Sequence, residues 1–182
     1  MNFTFSKFTE GLKSSAVREI LKLTQGNAVI SFAGGLPAED YFPIDAVKEA
    51  FERVFQSGKG ALQYGLTEGY TPLREAICER MAKKGVRVKP ENMLITTGSQ
   101  QAIYLLTRVY LSEGDVILVE NPTYLAALQI FQAIGIRVVG VEADEHGMKL
   151  DDLEAKMKRY KPKLAYVIPT FANPTGKVWS VE

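Results

Sequence analysis

The sequence predicts an α/β protein built on a mostly parallel sheet covered by helices. Three observations predict it. Four short, nearly all-apolar runs recur along the chain: Met93-Leu94-Ile95-Thr96, Val116-Ile117-Leu118-Val119, residues 136–141, and Leu164-Ala165-Tyr166-Val167-Ile168. Segments with helical periodicity separate them, which is the alternation that parallel pairing requires. Continuous rather than alternating apolarity marks strands buried on both faces. The third observation is composition: 46% hydrophobic and 24% charged residues suffice for a packed core and exclude a disordered chain.

Taken in order, the elements have local causes. Ser14-Ser15 precede residues 16–23, where Val17, Ile20 and Leu21 share one face and Arg18 and Lys22 lie on the polar side of a short amphipathic helix. The run Val29-Ile30-Ser31-Phe32 breaks at Gly34-Gly35-Leu36-Pro37, where the backbone needs unusual freedom or a close approach. A helix over residues 44–57 carries Val47, Phe51, Val54 and Phe55 on one face and stops at Gly58-Lys59-Gly60. Pro72 opens another, with Leu73, Ile77 and Met81 as its stripe and Cys78 as a small neighbouring hydrophobe. Strand 93–96, a helix over 100–111, strand 116–119, a helix over 124–134 and strand 136–141 follow. A last helix opens at Asp151 with Glu154 three residues on, an acidic variant of the capping box, before strand 164–168. The chain stops soon after this strand without the helix that would cover it, so the sequence reads as a fragment.

Composition narrows the function. Lys+Arg number 22 and Asp+Glu 21, so the net charge is +1, without the basic excess of a nucleic-acid or membrane-surface protein. One cysteine, Cys78, and one histidine, His146, cannot build a zinc site, and no metal is expected. A Ser/His/Asp hydrolase would need His146, which sits in the turn-like run Glu145-His146-Gly147 and reads as a surface residue. No run reaches the ~18 apolar residues of a membrane span, so a soluble cytoplasmic protein is expected.

Three loops leave the carboxyl ends of predicted strands, where ligands of open α/β sheets bind. In Thr97-Gly98-Ser99-Gln100-Gln101 a strand runs into a helix whose first N–H groups lack intrahelical partners. The loop reads either as a phosphate cradle or as an ordinary turn capped by Ser99. In Glu120-Asn121-Pro122-Thr123-Tyr124 the Tyr124 ring either faces a ligand or fills the core. In residues 169–176 Asn173 either offers its amide to a ligand oxygen or makes a plain Asn-Pro turn. Neither common nucleotide-binding glycine motif is present.

Together the motifs are recognisable. Ser31-Phe32-Ala33-Gly34-Gly35-Leu36-Pro37, Gln63-Tyr64-Gly65, Gly69-Tyr70-Thr71-Pro72-Leu73-Arg74, Thr97-Gly98-Ser99-Gln100-Gln101, Pro122-Thr123-Tyr124 and Asn173-Pro174-Thr175-Gly176 occur in the order seen in class I/II aminotransferases. The chain resembles these fold type I enzymes, which depend on pyridoxal 5′-phosphate, over essentially its whole length. Residues 15–21 add a likeness to the 2-aminoadipate and kynurenine aminotransferase branch.

The resemblance implies that Ser99 and Gln100 hold the cofactor phosphate through their backbone N–H groups. It implies that Tyr124 stacks on the pyridine ring, that Asn173 bonds its phenolic oxygen and that Tyr64 reaches the phosphate across a homodimer interface. Gly35 matches the glycine beside the substrate carboxylate, and Arg18 the arginine offered to a distal substrate carboxylate. It further implies an N-terminal arm and small-domain segment over 1–60, then the first half of the large cofactor domain over 61–182. Family members are longer and place the Schiff-base lysine beyond residue 182. Lys7, Lys13 and Lys177 do not occupy that motif, no catalytic residue is assigned, and this chain alone is expected to be inactive. The intact protein would transfer an amino group from an amino acid (2-aminoadipate, glutamate, branched-chain or aromatic) to a 2-oxo acid. Another fold type I activity (a lyase or decarboxylase), or the aminotransferase-like domain of a transcription regulator, is the alternative.

Overall fold

The computed structural model describes residues 3–10, 19–20, 22 and 35–180. Their elements, in chain order, are α1 (Lys7–Glu10), α2 (Ile44–Gln56), α3 (Thr71–Ala82), α4 (Gly98–Tyr110), β1 (Val116–Asn121), α5 (Leu125–Ala133), β2 (Arg137–Glu142), α6 (Leu150–Tyr160) and β3 (Leu164–Tyr166). Contacts divide the chain into two compact units, one of residues 36–97 and one of residues 1–35 with 98–182. These units part at residues 35 and 97, whereas the division expected near residue 60 concerns the domains of a longer protein.

The second unit carries the sheet, which is parallel throughout in the order β2-β1-β3. Val116 pairs with Arg137, and Ile117 lies between Val138 on one side and Leu164 on the other. Central β1 is buried from Ile117 to Glu120, and its side chains alternate between two cores. Ile117 and Val119 pack with Leu111, Ala127, Phe131, Ile134 and Ile136 beneath α4 and α5. Leu118 packs on the opposite face with Val141 and Met148, joined by Leu153 of α6 and by Trp179. Full burial of side chains such as Phe131 and Leu118 is worth about 1.5–3 kcal/mol each. Phe131 also meets Tyr166 of β3 edge-on, with ring centroids 5.8 Å apart.

The connection from β1 to β2 steps one way across the sheet. The next, from β2 to β3, steps back past β1. Connections that reverse direction put α5 and α6 on opposite faces and open a crevice at the carboxyl ends of β1 and β3. The candidate loops lie there.

Several expectations need correction. Residues 93–96 form no strand among the described residues: Met93 is extended, at φ −124° and ψ 133°, and the Ile95 N–H donates to the Glu68 carbonyl at 3.0 Å instead of to a ladder neighbour. An apolar run becomes a strand only when a partner strand lies beside it. The capping box of α6 is absent. The helix starts at Leu150 behind Lys149, which makes no side-chain cap, and Asp151 and Asp152 fall within the first turn. There Asp151 accepts the Asp152 N–H and Asp152 accepts the Glu142 N–H, both at 2.8 Å. The predicted helix over residues 14–23 falls mostly outside the described residues, Arg18 included. Glu19 and Lys22 are described and are paired at 3.0 Å.

In the unit of residues 36–97, α2 presents Val47, Phe51, Val54 and Phe55 on one face as its periodicity predicted, and all four are exposed. Helix α3 departs from its predicted stripe. Leu73 is exposed, and the buried residue is Arg74, whose guanidinium donates to the Pro90 carbonyl at 3.0 Å and to Thr71 Oγ1 at 3.1 Å. Two oriented acceptors offset the desolvation of that charge.

Candidate active site

The site grows from the carboxyl end of β1. Glu120 is the last buried strand residue, and Asn121 joins Pro122 through a cis peptide bond. Thr123 follows, 5% exposed, and its Oγ1 is buried without a hydrogen-bond partner. Tyr124 then stands at the N-cap of α5 in extended backbone. It is half-buried, packs on the core beneath α5 and also lines a cavity.

The opposite wall comes from the chain beyond β3. Phe171 adopts a left-handed backbone, at φ 51°, and Ala172 is buried. The Ala172 N–H donates to the Lys177 carbonyl at 2.8 Å, and the Gly176 N–H donates back to the Ala172 carbonyl. This closed turn presents Asn173, joined to Pro174 by a second cis peptide bond. Gly35, at φ +58° with open space where a Cβ would stand, completes the rim.

The resulting cavity measures about 540 Å³ and is lined by Gly35, Thr123, Tyr124, Phe171 and Asn173 among others. Its size and its mixture of aromatic surface with a few polar groups suit a small organic ligand. Three residues singled out from the sequence, Gly35, Tyr124 and Asn173, meet in this one space. Ser99 and Gln100 do not line it; they occupy the exposed first turn of α4, which opens at Gly98 in a left-handed conformation. Ser99 therefore lies inside the helix and does not precede it as a cap. Tyr64 belongs to the unit of residues 36–97 and is 99% exposed.

Sequence reasoning passed over Glu120, Thr123 and Trp179. Glu120 Oε2 accepts the Ile168 N–H at 2.7 Å, and Oε1 accepts the Trp179 indole N–H at 2.8 Å. Strand alternation, which puts Glu120 on the same face as Leu118, is the one signal that could have found it. Tyr166, beside this network, has its phenol pushed above the ordinary tyrosine range, chiefly by burial and further by Tyr124 and Glu120. It stays neutral near pH 7. His146 is exposed and lies 3.9 Å from Glu145, as a surface histidine would. Among the described residues no cluster of His, Cys, Asp and Glu could hold a metal, and no helix is long and apolar enough to cross a membrane.

A parallel sheet covered by helices, with a ligand-sized cavity at its carboxyl edge, defines an α/β protein of the kind that seats small molecules beyond its strand ends. The chain belongs to the aminotransferase class I and II family, whose description matches residues 28–182. It is 47% identical over 173 residues to the 2-aminoadipate transaminase of Thermus thermophilus, covering 94% of this chain and 42% of that protein. The aromatic-amino-acid aminotransferase 1 of Thermococcus litoralis is 44% identical over 179 residues, covering 94% and 43%. Among solved structures, the α-aminoadipate aminotransferase LysN of Thermus thermophilus, complexed with N-(5′-phosphopyridoxyl)-L-leucine, is 45% identical. It superposes with a TM-score of 0.84 over 97% of this chain and 43% of that one. The chain thus spans less than half the length of these relatives.

Proposed function

We propose that the full-length protein is a pyridoxal-phosphate-dependent aminotransferase acting on an amino acid and a 2-oxo acid, with 2-aminoadipate, glutamate, branched-chain and aromatic donors as the candidate substrates. The observation that carries this reading is the meeting of Tyr124, Asn173 and Gly35 on one cavity in a chain of this family. A phosphopyridoxyl-amino acid bound to a relative with 45% identity supports the cofactor.

The residues present fit such a group. The Tyr124 ring offers a flat face to an aromatic heterocycle, and the Asn173 amide donates to an oxygen carried on it. Thr123 Oγ1, orphaned in the cavity wall, adds a polar atom of the kind that bound ligands satisfy. The first turn of α4 supplies Ser99 and Gln100 N–H groups and the positive end of the helix dipole to a phosphate. When bound, the cofactor supplies the electron sink for loss of the substrate α-proton. Asn173 then holds that ring's register, and Gly35 leaves room beside it for the substrate carboxylate. Lys177 is not positioned as the catalytic amine, since its Nζ donates to the Asp144 carbonyl at 3.0 Å. Arg18 is assigned to a distal carboxylate of acidic substrates, where a guanidinium forms two parallel bonds.

The test is product analysis with the full-length protein, pyridoxal 5′-phosphate, 2-aminoadipate and 2-oxoglutarate. Stoichiometric glutamate is expected; carbon dioxide or an eliminated product would replace this reading with a decarboxylase or lyase. Arg18→Ala is expected to lower kcat/KM for 2-aminoadipate about tenfold or more, the loss of about 1.4 kcal/mol, with leucine little affected. An unchanged ratio of the two values removes Arg18 from the substrate site.

A further inference from the structure

We infer that Glu120 is a positioning residue whose carboxylate locks the Asn173 loop to β1, the strand whose carboxyl end leads into Tyr124. The inference rests on the proposed function for its cofactor arm only.

The geometry is a clamp at both ends of one loop. Glu120 is 5% exposed, and its two oxygens divide their work: Oε2 takes the backbone N–H of Ile168, where the chain leaves β3, and Oε1 takes the indole N–H of Trp179, where the loop ends. Everything between those residues, Asn173 included, is held by its two ends to the side chain of one β1 residue. Four positions after Glu120 along the same backbone comes Tyr124. One carboxylate therefore fixes both walls of the cavity against each other.

Trp179 makes the clamp rigid. Its indole packs against the Leu118, Val141 and Met148 core, and a Cβ on Gly147 would come within 2.8 Å of its ring. Its own N–H donates to the Pro169 carbonyl at 2.8 Å. Glu120 is not itself placed to exchange protons with a ligand. Both its oxygens are engaged, and it borders a separate recess of about 40 Å³ rather than the large cavity. A carboxylate buried with two donors on it acts as a fixed joint, because losing either bond strands a polar group in the interior.

The experiment uses the full-length protein as wild type, Glu120→Gln, Trp179→Phe, Asn173→Ala and the Glu120→Gln/Asn173→Ala double variant. Glutamine turns one acceptor into a donor facing an N–H, so Glu120→Gln breaks one joint. Amide hydrogen exchange over residues 168–179 is expected to rise about tenfold or more in Glu120→Gln, and less in Trp179→Phe, while exchange in α2 and α3 stays as in wild type. The dissociation constant of pyridoxal 5′-phosphate is expected to rise about tenfold in Glu120→Gln, yet less than twofold when the same change is made on Asn173→Ala, because the two act as one unit. Unaltered loop exchange, or an effect of equal size in both backgrounds, overturns the proposal. Should Glu120→Gln not fold, Trp179→Phe decides it: faster loop exchange supports the clamp and unchanged exchange refutes it. If the wild type fails to bind pyridoxal 5′-phosphate, the functional reading falls alone, and the exchange result settles whether Glu120 holds the loop.

Discussion

Asn173 shows how much a single residue depends on its setting. From sequence alone a plain Asn-Pro turn is the better reading; the structure shows that turn, with a cis Asn173-Pro174 bond, and places Asn173 in the lining of the cavity. Hydrogen bonds to charged groups are worth about 1.5–3 kcal/mol, so Asn173→Ala in the full-length protein should weaken pyridoxal 5′-phosphate about tenfold or more. Fluorescence titration of the cofactor measures this, and an unchanged dissociation constant removes Asn173 from the site. Gly69 makes a purely structural case at the same scale. Its backbone lies at φ +101°, and a Cβ there would stand 2.5 Å from Ile95 Cγ1 and 2.6 Å from Ile95 Cβ. Strain and overlap act together, so Gly69→Ala should cost about 2 kcal/mol or more in unfolding free energy. A denaturation midpoint equal to wild type would contradict the packing at that turn.

Between elements, carboxylates tie the sheet's connections. Asp115, just before β1, accepts the Ser112 N–H and the Lys163 ammonium, both at 2.7 Å, and so joins the approach to β1 to the approach to β3. Asp152 in the first turn of α6 accepts Lys156 at 2.6 Å and the Glu142 N–H at the end of β2. Both carboxyls titrate below the ordinary aspartate range, Asp115 chiefly through its bond from Lys163 and Asp152 chiefly through its bond from Lys156. A lowered folded-state value stabilises the protein above the unfolded value of about 3.9 and loses that contribution as pH falls through the folded value. The Asp115→Asn/Asp152→Asn double variant should therefore melt below wild type at neutral pH, and the gap should close below about pH 4. Thermal melts across that range check the sign; a gap that is constant with pH would mean that charge on these groups contributes nothing.

For the whole molecule, the open question is what meets the surfaces this chain exposes. Tyr64 is 99% exposed within the chain, and the family resemblance implies that it reaches the cofactor phosphate across a homodimer interface. The full-length protein should accordingly sediment as a symmetric homodimer, and Tyr64→Phe should weaken the cofactor without dissociating the dimer. A fully active monomer would refute that assignment.

Much of the fold was legible in the chain itself, for identifiable reasons. The apolar runs at 116–119, 136–141 and 164–168 lie near three parallel strands because burial on both faces leaves no polar alternation, a signal written locally. Helices α2 to α6 follow from 3.6-residue periodicity and fall within a few residues of their predicted bounds. Gly35, Tyr124 and Asn173 could be named because their motifs are local. Long-range pairing was not legible. Residues 93–96 are as apolar as a strand, yet they form none among the described residues, since a ladder needs a partner that a run cannot announce. Arg74 lies beside an apolar stripe and is buried because Pro90, sixteen residues away, offers its carbonyl. Glu120 meets Ile168 and Trp179 across 48 and 59 residues, and no period in the sequence encodes such a separation. The sequence by itself determined the helices α2 to α6 and the three paired strands to within a few residues, because those depend on neighbours along the chain. Only the tertiary structure decided that Tyr124 and Asn173 face one cavity, and that a buried glutamate holds them there, because those facts depend on neighbours in space.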